Sequence, residues 1–185
     1  MTGSDRRDRP VYDAMMDTPQ VLTDAFDRIE HEVETAVAGL DGDGLSYRPD
    51  ADANSIGWLV WHLTRVQDDH VSEIAGLPQA YVEDGWAERL GLVPDTVDTG
   101  YGHTPEQVAA VRFDRADEIL AYHRAVSART RAYLATVTSA ELDRIIDRRW
   151  DPPVSVGVRL VSVISDDLQH AGQANFVRGM YERRR

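Results

Sequence analysis

The sequence contains no cysteine. Disulfides, thiolate metal ligands and a thiol nucleophile belonging to the protein are all excluded. Lysine is absent too, so all 20 cationic side chains are arginine, and Schiff-base chemistry goes with it. No run of about 18 apolar residues occurs, so no transmembrane helix is expected. Met1 to Pro10 are polar and charged, without the apolar centre of a signal peptide. They read as part of a loosely ordered tail over residues 1–17, and a cytoplasmic location is expected. Net positive charge is also missing. The formal charge of −12 argues against nucleic acid and anionic membranes, whose binding rests on clustered cations. Arg183-Arg184-Arg185 reads as a solvated end. Glycine-rich phosphate loops and strand alternation are likewise absent.

What remains is a chain of 185 residues, 42% hydrophobic, enough for a single domain over residues 18–182. The abundance of Arg, Asp, Ala and Val suggests high-GC coding. Thr18-Pro19 signals a helix start. Leu22, Ala25, Phe26, Ile29, Val33, Val37 and Leu40 follow at helical steps, with His31 off that stripe and solvated. Residues 41–53 read as a loop. Asn54-Ser55 can cap a second helix with stripe Ile56, Leu59, Val60, Leu63, Val66 and Ile74, closed by Gly76-Leu77-Pro78. His62 lies beside this stripe, on a face shared with Trp58, Val66 and Asp69, and His70 lies two turns on. Gln79 to His103 carries no period and reads as a long crossover able to form a pocket wall. Thr104-Pro105 starts a short helix. Asp114 can cap a third long helix with Ile119, Leu120, His123, Val126, Thr130, Tyr133 and Val137 inward, His123 being a core histidine. Trp150-Asp151-Pro152-Pro153 cannot be helix. Ser155 opens a last helix whose apolar row runs Val158, Val161, Ile164, Leu168, Ala171, Phe176 and Met180. Four long amphipathic helices make an all-α four-helix bundle.

In that last helix a carboxylate and an imidazole, Asp166 and His170, stand four residues apart and share a face. Asp167 lies near the same face, and spacing does not choose between the aspartates. An inward His62 would complete a two-His, one-carboxylate set with open coordination positions. Such a set suits zinc, and also nickel, iron or manganese. A buried Asp166 would be costly without a cation beside it. Asp69 reads as a solvated acid.

The runs Asn54-Ser55-Ile56-Gly57-Trp58-Leu59-Val60-Trp61-His62-Leu63 and Asp166-Asp167-Leu168-Gln169-His170-Ala171-Gly172-Gln173 resemble the DinB-like superfamily of metal-binding four-helix bundles. More narrowly, they resemble its actinobacterial branch of mycothiol-dependent S-transferases and maleylpyruvate isomerases. The likeness runs from about Thr18 to Arg178. It implies His62, Asp166 and His170 as ligands, with Asp167 a neighbour. Lacking the extra C-terminal domain of the isomerase members, the chain is not expected to isomerise maleylpyruvate. The resemblance implies a cofactor ion, most simply Zn2+, and mycothiol as cosubstrate, whose thiolate attacks a small electrophile in detoxification. The absence of cysteine agrees, since the thiol must then come from a cosubstrate. Ser55 and Trp58, two turns and one turn before His62, are candidates for the pocket mouth, Trp58 equally for a plain helix-core role, and Asp69 is another candidate pocket residue beside its solvated reading. Exposed helix faces allow a homodimer. The competing readings are a hydrolase activating water at the same site and a non-catalytic stress or binding protein.

Overall fold

Asp17, rather than Thr18, starts the first helix. A computed structural model describes residues 16–184; most of the N-terminal tail reading, and Arg185, lie outside the described residues. In α1 (Thr18–Val37) the Asp17 carboxylate accepts from the Gln20 N–H, and the Gln20 side chain accepts in return from the Asp17 N–H, both at 2.9 Å. Two otherwise unpaired donors are satisfied reciprocally, so Asp17 belongs to the helix and not to a tail. After α2 (Gly42–Leu45), α3 (Ile56–Ala75) is capped by Ser55 Oγ, which accepts from the Trp58 N–H at 3.1 Å. It is stopped by Gly76 in the left-handed conformation. The crossover contains two single-turn helices, α4 (Ala80–Glu83) and α5 (Trp86–Arg89). α6 (Pro105–Ala110) follows behind a Thr104–Gln107 capping box.

The third long helix, α7 (Ala116–Leu134), starts after Arg115, not at Asp114, and without a side-chain cap. The Arg115 backbone pairs with Asp41 in an isolated antiparallel bridge, so it stays extended. After α8 (Ser139–Asp143) comes a hairpin that the helical periodicity did not reveal. β1 (Ile145–Asp147) pairs antiparallel with β2 (Val154–Ser155), Ile145 opposite Ser155 and Asp147 opposite Val154. Trp150 to Pro153 lie in its non-helical link. Ser155 then caps α9 (Val156–Glu182).

α1 and α3 each pack against both α7 and α9, which gives four long helices around one apolar interior. Leu22, Phe26, Ile29, Val33 and Val37 of α1, and Ile119, Tyr122 and Val126 of α7, are buried there. Each such aliphatic or aromatic side chain contributes roughly 1.5–3 kcal/mol relative to exposure. α3 is the central element. From Ile56 to Arg65 every residue is buried, the polar ones included. Its outward side is covered by the crossover.

α9 departs from the expected row. Its buried positions are Val156, Leu160, Val163, Asp167, Ala171, Ala174 and Val177, whereas Val158, Val161, Leu168 and Phe176 are exposed, Phe176 by 67%. The large residues drew the sequence reading to the wrong face. The buried row combines Val156, Leu160, Val163 and Val177 with two small alanines, which allow close helix approach, and one aspartate. No helix of the described residues is long and apolar enough to cross a membrane.

Candidate metal centre

His62 projects from the buried middle of α3, and Asp166 and His170 from the middle of α9, the helix packed against it. One ligand atom from each lies within 4.8 Å of the others. His62 Nε2 is 4.0 Å from Asp166 Oδ2, and His170 Nε2 is 3.6 Å from Asp166 Oδ1. The far nitrogens are already engaged. His62 Nδ1 is 2.5 Å from the Thr99 carbonyl oxygen, which can only accept, so the ring proton sits on Nδ1. His170 Nδ1 donates to Gln173 Oε1 at 2.9 Å. Both Nε2 lone pairs are thereby left facing one carboxylate, the arrangement that outer hydrogen bonds impose on ligating histidines.

The rest of the surroundings fix His62. Trp58 stacks on its ring at 4.7 Å with 13° between planes, and His170 meets it edge-on at 4.7 Å. Trp58 in turn donates through Nε1 to His103 Nδ1 at 3.2 Å, and His103 Nε2 donates to Asp98 Oδ1 at 2.9 Å. Gly100, at φ 89°, lies flat against this group. A Cβ there would sit 2.8 Å from Trp61 and 3.0 Å from Trp58. The loop is held down by Arg65, buried in α3, which donates to the carbonyls of Asp98, Asp95 and Thr96 at 3.1–3.4 Å. Its charge is balanced by buried Asp68 at 3.8 Å. Asp68 also accepts from the backbone N–H groups of Ala80 and Tyr81 and from the Tyr122 hydroxyl, at 2.8–2.9 Å.

Burial lowers the His62 pKa. His170 moves the other way, because the Asp166 carboxylate favours its protonated form. Burial would raise Asp166, but the two imidazoles outweigh it and hold the carboxyl below its ordinary range.

His62 and Asp166 open onto a cavity of about 500 Å³ whose lining also includes His70, Asp69, Thr99 and Tyr101. Tyr101 stands at its rim, 93% exposed. Several expectations change here. The Asp166 side chain is 39% exposed rather than buried; the fully buried carboxylate is Asp167, with neither oxygen partnered among the described residues. Ser55 and Trp58, candidates for the pocket mouth, are both buried and do not line the cavity: Ser55 is committed to the α3 cap, and Trp58 takes the helix-core alternative, stacked on His62. Asp69 takes its pocket reading rather than the solvated one: it is half-buried on the cavity wall and accepts from Gln79 Nε2 at 2.6 Å. His123 is a core histidine as expected, held between Thr64 and Ser127. Sequence reasoning missed Thr99, which acts through a backbone carbonyl and carries no side-chain signal. It also missed His103, whose role depends on packing between distant segments.

The donor chemistry fits a divalent cation. Asp166 Oδ2 is shielded from solvent and has no hydrogen-bond partner among the described residues, although it lies among imidazole nitrogens. Two borderline nitrogens and one hard oxygen form a set that divalent transition ions accept.

The chain can be compared with known proteins on this basis. A family model described as mycothiol-S-transferase matches residues 21–182. Among solved structures, the crystal structure of a conserved protein from Enterococcus faecalis is similar with a TM-score of 0.82 at 31% identity, over 89% of this chain and 96% of that one. No curated protein matches.

Proposed function

The chain belongs to the mycothiol S-transferase family of DinB-like bundles, and from that premise we propose that it is a metal-dependent S-transferase joining mycothiol to a small electrophile. The observation that carries this reading is the convergence of His62 Nε2, His170 Nε2 and Asp166 at the wall of an open cavity. His62, Asp166 and His170 would hold the ion, most simply Zn2+, with Ni2+, Fe2+ and Mn2+ accepting the same donors. A divalent ion at that position supplies Lewis acidity, lowering the pKa of a thiol so that it reacts as thiolate.

The protein's own residues do the rest. Thr99 and Gln173 hold the two imidazoles with their Nε2 lone pairs facing the Asp166 carboxylate. Trp58 excludes water from one face of His62. The half-exposed Asp166 carboxylate leaves an approach from solvent for a cosubstrate larger than water. With no cysteine in the chain, the sulfur nucleophile comes from the cosubstrate.

The test is elemental analysis of the purified protein beside His62→Ala, together with conjugation assays using mycothiol with and without a chelator. The expected result is about one ion per chain, lost in the variant, and chelator-sensitive conjugation. Equal metal content in both proteins would overturn the ligand assignment. Failure to conjugate mycothiol to any member of a broad electrophile panel would overturn the activity.

A further inference from the structure

A second imidazole faces the same cavity and has no part in the ligand cluster. His70 lies two turns beyond His62 on α3, on the cavity wall. Its Nδ1 accepts from Arg159 Nη1 at 2.7 Å. Arg159 belongs to α9, its side chain is only 14% exposed, and it also donates to Glu73 at 3.1 Å and lies 4.0 Å from Asp147. A guanidinium only donates, so the Nδ1 lone pair is consumed and the ring proton resides on Nε2. The Asp69 carboxylate, 3.5 Å from the same Nδ1, therefore meets a nitrogen without a proton and forms no hydrogen bond with it. Nε2 has no hydrogen-bond partner among the described residues and is not sealed from solvent. With its one lone pair taken, the ring can neither ligate a metal nor accept a proton. It can only donate. Burial first, and the Arg159 charge second, lower its pKa, in agreement with a neutral ring.

A fixed neutral N–H donor on the wall of the cavity that His62 and Asp166 also line suits an oxygen that gains negative charge as a nucleophile adds. We infer that His70 is a catalytic residue for the electrophile, and that the electrophile is an α,β-unsaturated carbonyl compound; this rests on the S-transferase reading. The cosubstrate sulfur bonds to the β-carbon, and the C=C electron pair shifts to place charge on the carbonyl oxygen. That oxygen accepts the His70 Nε2–H bond without taking the proton. The proton released when thiol became thiolate returns through solvent to the α-carbon, and nothing is oxidised or reduced. A neutral imidazole is too weak an acid to protonate an alkoxide leaving group, so it serves an enolate better than an opening epoxide. Arg159 is a positioning residue, acting by fixing the tautomer.

The test compares an enone with 1-iodobutane, which has no oxygen, as mycothiol acceptors for metal-loaded wild type and His70→Leu, whose side chain carries no donor. The enone-to-iodide ratio of kcat/KM is expected to fall by about a hundredfold, the usual cost of losing one such donor. An unchanged ratio overturns the inference. A binding measurement stands apart from turnover: a cyclic 1,3-dione, an enolate at neutral pH, is titrated into both proteins by calorimetry. At least about tenfold weaker binding to His70→Leu is expected. Equal affinity, or no binding to either protein, overturns it. Wild type that conjugates no electrophile but still binds the dione through His70 would sink the S-transferase reading and leave the oxygen site standing.

Discussion

The two adjacent aspartates of α9 show how far a single residue's role depends on orientation. Asp166 faces two imidazoles, while Asp167 points into the bundle with both oxygens unpartnered among the described residues. Spacing left them interchangeable, and family likeness favoured Asp166. Nothing in the local sequence says that the next residue is sealed in an apolar interior. Asp166→Asn is expected to reduce metal content by more than half under chelator challenge. Asp167→Leu should retain the metal and raise the thermal midpoint by a few degrees, since burial pushes this carboxyl's pKa well up and leaves both oxygens unpartnered among the described residues; elemental analysis and calorimetry check both. His123 gives a second prediction. Burial, with a smaller contribution from Arg131 and Arg124, lowers its pKa from near 6.5 to about 3. As pH falls below 6.5 the unfolded chain takes up a proton that the folded chain refuses until about pH 3, so stability is lost through that window. Between pH 6.5 and 5 the loss from this residue is about 2 kcal/mol. Denaturant titrations at the two pH values should show that slope, and His123→Gln should remove it.

Among the elements, the ones legible in the sequence were those whose pattern follows apolar size. α1, α3 and α7 show the expected stripes, and Gly76 and Thr104 mark a stop and a start as read. α9 failed because its outer face also carries large apolar residues, Val158, Val161, Leu168 and Phe176, while its inner row is broken by Asp167 and by Ala171 and Ala174, so a size-weighted period picks the outer row. The hairpin of β1 and β2 failed because two- and three-residue strands carry no period. The crossover was legible only as a region without pattern, and its effect on the site comes through backbone groups. Gly100 is the place to test it. A methyl group there meets Trp61, Trp58 and His62 Nδ1 at 2.8–3.2 Å, with φ at 89°. Gly100→Ala should cost about 1–3 kcal/mol in stability, as overpacking and left-handed strain do. It should also lower metal affinity, because lifting the loop removes the Thr99 carbonyl from His62. A variant that kept both stability and metal would show that the loop does not orient His62.

For the molecule as a whole, the proposal of one domain over residues 18–182 has a direct check. α9 touches both α1 and α3, and α7 closes the other side, so no helix can leave without opening the shared interior. Unfolding should be a single calorimetric transition whose calorimetric and van't Hoff enthalpies agree within about 10%; two separable transitions would overturn the assignment. The Thr99 carbonyl has a consequence for how this protein can change. It lines the cavity and also sets the tautomer of His62, so substitutions in the crossover that reshape the cavity are expected to disturb the hold on the proposed ion at the same time. The outer side of α9 is free of that coupling. Val158, Val161, Ser165 and Gln169 border Asp166 yet hold neither imidazole, so under the proposed activity new substrate range should be selectable there with the proposed metal centre intact. Libraries for altered specificity belong on that helix face, and the loop is best left as it stands.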